Sequence, residues 1–208
     1  MLDSNGMVRD VIAWVNLGVL IVSAILFLYF YVRSVSPATL EKRIGEVAYA
    51  KCKRYRQLAI AFEFLAVANY VAYYFYPLAI PIPQSFPWDY WISIVIAVVI
   101  GLPSSYLMYK GIKDAGGESI APKKEQALYG GIYRKVRHPQ ATGEVVLWWV
   151  VAFLLDSPFL AILSLIWVPI FYVMCLAEEK DLVVRYGEAY LKYQRKTGFL
   201  IPKRNTFN

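Results

Sequence analysis

Apolar residues in this chain fall in long blocks and do not alternate with polar ones, the pattern of buried or membrane helices and not of half-exposed strands. Val11 to Val32 is a run of 22 residues without a charge, and Leu58 to Ile80 a run of 23 with only Glu63 charged. Trp91 to Tyr109 and Phe159 to Ala177 each contain 19, and Val145 to Leu155 contains 11. A helix rising 1.5 Å per residue needs about 20 residues to cross the hydrocarbon of a bilayer. Four runs meet this; the shortest would reach only about 17 Å, so its helix is expected to start earlier, near Ala141. Asp156-Ser157-Pro158 reads as a tight turn between antiparallel helices. The pattern predicts an all-α integral membrane protein with five transmembrane helices, the last two a helical hairpin. Pro103 and Pro169 are expected to bend their helices. Glu63 is placed about one turn into the second helix, as an interfacial side chain near Arg56. The first run is too long for a cleaved signal, and Asp3, Arg9 and Asp10 make a poor n-region.

Composition supports the membrane class. Hydrophobic residues make up 59% of the 208, charged residues 18%, and mean hydropathy is +0.44, which excludes a disordered chain. The distribution of charge carries more information than its net value of +7. Seven Lys and Arg lie between Arg33 and Arg56, seven between Lys110 and Gln140, and seven after Glu178; Arg9 is the remaining one of 22. Five spans put those three segments on one face, which the excess of cations makes cytoplasmic. The N-terminus is then outside and the C-terminus inside. Cations spread over three loops with acids between them argue against a nucleic-acid partner. Cys52 and Cys175 cannot form a disulfide framework, and a single histidine, His138, argues against a bound metal.

Two stretches carry candidate chemistry. Gly130-Gly131 is a turn where backbone can approach a ligand closely. Arg137-His138-Pro139 then places a permanent cation and the chain's imidazole at the start of the short helix, whose first amides can hold an anion. After the last run come Glu178-Glu179, and Leu182, Tyr186, Tyr190 and Tyr193 at spacings of four, four and three. They predict one helical face, either lying on the membrane or covering a pocket. Residues 1–127 are read as three helices with their cytoplasmic loops, and 128–208 as the hairpin and C-terminal helix forming a cofactor site. Two other classes stay open: an NADPH-dependent membrane reductase, and a non-catalytic transporter or scaffold. No polar pair near mid-membrane is evident to favour the latter.

In order and spacing, Gly131-Ile132-Tyr133, Arg137-His138-Pro139 with Gly143, Glu178-Glu179, Tyr186-Gly187, Tyr190, Tyr193 and Ile201-Pro202 resemble the isoprenylcysteine carboxyl methyltransferase family and the broader phospholipid methyltransferase-like group. The likeness covers about Leu128 to Pro202; the first three helices match only in hydropathy. Ala141 stands where the family usually has Tyr. The resemblance implies transfer of a methyl group from S-adenosylmethionine, leaving S-adenosylhomocysteine, to a lipophilic acceptor entering from the bilayer among the membrane lipids. An isoprenylcysteine-like carboxylate is the first expectation, with a phospholipid amine or a thiol as alternatives. It further implies a cytoplasmic cofactor site made by Gly131, Tyr133, His138, Pro139, Gln140, Gly143, Glu178, Leu182, Tyr186, Tyr190 and Tyr193. Arg137, holding the acceptor carboxylate or else bracing the loop against Glu144 or Glu178, and Glu179 are the expected catalytic residues.

Overall fold

The computed structural model describes residues 4–122, 124 and 130–203. The expected boundary at 127/128, Leu128, Lys123 and Arg204 lie outside them. The described residues form helices α1 (Ser4–Ser34), α2 (Pro37–Ile44), α3 (Val47–Phe75), α4 (Tyr90–Ala115), α5 (Pro139–Leu154), α6 (Pro158–Leu163), α7 (Trp167–Tyr186) and α8 (Glu188–Lys196). Short 3₁₀ turns at Gly116–Ser119, Gly131–Arg134 and Ser164–Ile166 join them. The pairing of Val136 with Gly198 is an isolated bridge, and no named strand occurs among the described residues.

Four helical segments are long and apolar enough to cross a membrane: 5–34, 47–75, 90–119 and 158–186. Their outward faces are greasy; Phe64 is 70% exposed and Leu102 69%. No soluble surface sustains such a girdle, and the chain is a multi-pass membrane protein. Helix α5 starts at Pro139, two residues before the expected Ala141, and its 16 residues span about 24 Å. It runs alongside α4 from Gly111, against which Gln140 packs, to Tyr90, whose hydroxyl donates to the Leu154 carbonyl at 2.8 Å.

Two boundaries differ from the sequence expectation. No Gly or Pro interrupts α3, so it begins at Val47, directly after the turn at Gly45 (φ 70°). Glu63 is therefore sixteen residues into its helix, more than four turns, and not one. At the other end, Gly187 adopts φ 57° and divides α7 from α8. The stretch from Leu182 to Tyr193 is thus two helices meeting at a left-handed glycine, not one amphipathic face.

The Asp156-Ser157-Pro158 turn forms as expected. Asp156 has φ 48°, and Ser157 accepts from the Leu160 amide to cap α6. Pro169 offers no N–H to the carbonyl of Leu165, and the turn just before it tightens to 3₁₀ at Ser164–Ile166. Ser104, beside Pro103, donates its hydroxyl to Ile100 at 2.7 Å, a familiar way of satisfying carbonyls near a helix proline.

Small residues bring α4 and α5 together. A Cβ on Gly143 would lie 2.4 Å from the Ser104 carbonyl oxygen, and one on Gly111 2.6 Å from Gln140 Cγ. Backbones can approach this closely only through glycine. At the bundle centre Trp148 and Trp167 stack at 3.7 Å, and Trp167 donates to the Tyr70 hydroxyl at 2.9 Å. Across α1 and α3, Asn16 donates to the Asn69 carbonyl at 3.0 Å.

The basic segments gather at one end of the bundle. Arg56 donates to the Ser34 hydroxyl and the Ser119 carbonyl, Lys124 pairs with Glu41 and Glu46, and Arg185 pairs with Glu118. Asp181 of α7 accepts from the Ala38 and Thr39 amides at 3.0 and 2.7 Å, tying α2 to the same end.

Candidate functional site

A cavity of about 300 Å³ opens among α1, α3, α4, α5 and α7 at this basic end. Each helix lines it with residues one turn apart: Arg56, Ile60 and Glu63 from α3; Met108, Ile112 and Ala115 from α4; Gln140, Ala141 and Glu144 from α5; Phe171, Met174, Cys175 and Glu178 from α7. From Arg56 to Glu63 the wall descends roughly 10 Å along the helix axis. The outer part is polar, with Glu118, Ser119, Tyr133, Arg137 and His138 beside Arg56, Gln140 and Glu178. The inner part is apolar except for Tyr31, Cys175 and the carboxyls of Glu63 and Glu144, which lie close to each other. Two acidic side chains thus come together on this wall, Glu63 five residues past the start of its apolar run and Glu144 just before Val145. Sequence reading missed the pairing because 81 positions separate the two residues, and only the rotation of α3 against α5 brings them together.

The loop before α5 shapes the outer wall. Gly131 has φ 59°, and a Cβ there would sit 2.1 Å from Asp114 Oδ2. That close approach lets Asp114 accept from the Ile132 amide at 2.8 Å. Tyr133 is buried; its hydroxyl donates to the Gly111 carbonyl at 3.2 Å and accepts from Gln140 Nε2 at 2.8 Å. Gln140 also donates to Ser119 Oγ at 3.1 Å. Loop, 3₁₀ turn and helix therefore hold one another in place.

His138 is 6% exposed and sits between two carboxylates. Its Nε2 lies 3.1 Å from Glu179 Oε1 and its Nδ1 3.5 Å from Glu178 Oε2. Burial opposes charge on the ring, but contacts with Cys175, Glu178 and Glu179 outweigh it, and the pKa stands well above the usual imidazole value. A raised folded-state pKa stabilises the protein fully below the unfolded pKa, about 6.5, and the benefit is lost as pH rises through the folded value. The melting temperature of wild type should exceed that of His138→Asn most at pH 6, with the gap closing in the alkaline range. A gap that stays constant from pH 6 to 10 in detergent would refute the imidazolium.

Arg137 lines the cavity, yet the bonds it makes are those of a brace. Its Nε donates to Glu179 Oε1 at 2.6 Å, and one terminal nitrogen donates to the Gln194 and Thr197 carbonyls at 2.9 and 2.8 Å. Its partner is Glu179, not the expected Glu144 or Glu178. Glu179 itself is absent from the cavity wall and has both oxygens engaged, the second by Gln194 Nε2 at 2.8 Å. The 197–200 segment lies against the same loop. Arg137 N donates to the Gly198 carbonyl at 2.8 Å, His138 N to Phe199 at 3.2 Å, and Thr142 Oγ1 to Leu200 at 3.2 Å.

Of the expected cofactor residues, Tyr133, His138, Gln140 and Glu178 line the cavity. Pro139 and Gly143 stand behind it, where α5 meets α4. Leu182 borders a small neighbouring pocket with Glu178 and Asp181. Tyr190 and Tyr193 do not lie on the membrane or over the cavity. Tyr190 is 2% exposed, and the Tyr193 hydroxyl donates to the Tyr133 carbonyl at 2.6 Å. Burial raises the pKa of both phenols. Tyr186, on the far side of the Gly187 break, packs under the Arg185 guanidinium. Sequence reading passed over Glu118 and Ser119, and gave Arg56 and Glu144 only the part of neighbours to Glu63 and Arg137. Among the described residues no cluster of ligands suited to a metal ion occurs.

Residues 88–189 match the phospholipid methyltransferase family model. The match begins before α4 and so takes in the third long helix; it ends before Tyr190, Tyr193 and Ile201-Pro202. The chain is 32% identical over 141 residues to a methanethiol S-methyltransferase of Pseudomonas sp. (strain GM41(2012)), across 62% of this chain and 53% of that protein. The chain thus spans about half the length of that curated relative. No solved structure matches. Through this segment the chain is similar to the isoprenylcysteine and phospholipid methyltransferase-like group.

Proposed function

We propose that the protein is an S-adenosylmethionine-dependent methyltransferase whose acceptor is a small apolar thiol reaching the cavity from the membrane, with the N-terminus outside and the cavity mouth cytoplasmic. When bound, S-adenosylmethionine supplies an electrophilic methyl group on a sulfonium. The outer cavity suits such a group because it presents both signs of charge. Arg56 and the Gln140 amide can meet a carboxylate, and Glu178 an ammonium or a ribose hydroxyl.

The facing carboxyls of Glu63 and Glu144 carry the choice of acceptor. Two carboxyls in an apolar recess repel a carboxylate acceptor, so they count against the isoprenylcysteine carboxylate that the resemblance favours. A thiol instead needs to lose a proton as its sulfur becomes the nucleophile. A carboxylate oxygen of the pair takes that proton; the new S–CH₃ bond replaces the S–H bond, and the proton leaves through the pair. Ala141, in place of the family's Tyr, leaves the adjoining wall open. The activity named for the Pseudomonas relative supports the same acceptor class.

The test uses purified full chain in detergent. Calorimetry should detect S-adenosylhomocysteine at micromolar levels, roughly −8 kcal/mol, and Glu178→Gln should weaken binding about tenfold. Methyl transfer should be fastest to a short-chain thiol among a thiol, a phosphatidylethanolamine and an isoprenylcysteine. NADPH binding without S-adenosylhomocysteine binding would overturn the enzyme class, and faster transfer to the carboxylate would overturn the acceptor.

A further inference from the structure

A second pocket, of about 210 Å³, lies where the end of α1, the short α2 and the start of α3 meet. Arg33, Arg43 and Lys51 line it together with Ser36, Thr39 and Tyr55, and no acidic residue does so among the described residues. Neighbouring cations are engaged elsewhere: Lys124 by Glu41 and Glu46, Arg185 by Glu118. Arg33, Arg43 and Lys51 form no ion pair among the described residues. Ring contacts orient two of them, Arg33 over Tyr29 at 5.3 Å and Lys51 over Tyr55 at 5.9 Å. Three like charges around one hollow repel each other, and an anion between them relieves that repulsion.

The depth of the pocket names the anion. Arg33 directly follows the apolar run ending at Val32, and Tyr55 precedes the run that starts at Leu58, so the hollow lies at the level of lipid headgroups. Seven residues from Val32 and from Lys51, and so on the same helix faces, Ile25 and Leu58 are 61% and 43% exposed, offering apolar surface to acyl chains. We infer that this pocket binds the phosphate of an anionic phospholipid, held by Arg33, Arg43 and Lys51 with hydroxyl donors from Thr39 and Tyr55. The inference does not depend on methyl transfer.

Native mass spectrometry of the full chain, carried out with equal amounts of phosphatidylglycerol and phosphatidylcholine, tests it. One phosphatidylglycerol should be retained in preference. The triple variant R33Q/R43Q/K51Q should lower that preference at least tenfold, while the charge-matched K42Q/K53Q/R54Q keeps it. Equal loss in both triples, or no preference in wild type, would overturn the site. Displacement of the lipid by millimolar inorganic phosphate would assign the pocket to a free anion and overturn the lipid. Should the triple variant fail to fold, Arg43→Gln alone should cut the preference about fivefold, and an unchanged ratio there would equally overturn the site.

Discussion

Glu144→Gln should lower kcat for a thiol acceptor by on the order of a hundredfold, the usual contribution of a positioned proton acceptor, while S-adenosylhomocysteine affinity stays within a factor of two or three. Glutamine keeps the volume of the side chain and a hydrogen bond to Glu63, across the inner cavity, but cannot take up a proton. Because the two carboxyls face each other, Glu63 can substitute in part, so the double variant Glu63→Gln/Glu144→Gln should be slower still and its loss less than the product of the single losses. The opposite sign is expected for an anionic acceptor. Removing one acidic group from the recess would raise its rate, and a carboxylate acceptor needs no base. Stopped-flow or product assays on both acceptor classes separate these cases. Thiol turnover in the double variant equal to wild type would remove the pair from the chemistry.

Gly143→Ala should destabilise the fold by about 1–3 kcal/mol, more than a surface change in any other helix. The added Cβ would lie 2.4 Å from the Ser104 oxygen and 2.8 Å from the Met108 amide. Both atoms are backbone in the middle of α4 and cannot turn aside, so α4 and α5 must separate. Gln140, Ala141 and Glu144 ride on α5 and would move with it, so activity should fall along with melting temperature. Gly18→Ala in α1 is the control: nothing lies within 4 Å of its added Cβ, and the change should be neutral or slightly stabilising. Equal melting of Gly143→Ala and wild type would show that the helices are not in the close contact described.

The apolar runs and the clustering of cations were readable because they reflect one-dimensional constraints, helix length against bilayer thickness and charge against side. The start of α3 was not, because Lys51 to Arg56 look like a loop by charge. Helix formation depends on the absence of Gly and Pro, which lets α3 run on past the bilayer. The tyrosines after Glu179 followed helical spacing, but Gly187 redirected the chain and turned Tyr190 and Tyr193 onto the loop at Tyr133. The motif residues Tyr133, His138, Gln140 and Glu178 line one cavity. Arg56, Glu63 and Glu144 meet there only through the rotational phase of packed helices, which no local pattern encodes.

The pairing of 197–200 with 136–138 has a bearing on biosynthesis. Insertion of the hydrophobic helices into the bilayer can proceed as each emerges, but the Arg137 and His138 amides find their acceptors only at Gly198 and Phe199. Until those residues have been made, the buried guanidinium and imidazole loop has no second layer to lie against. The loop behind the cavity therefore lacks this support until residues 197–200 have been made. A membrane-bound fragment cut short anywhere before residue 197 is expected to be inserted yet unable to hold its ligand, so that ligand capture reports on finished molecules alone.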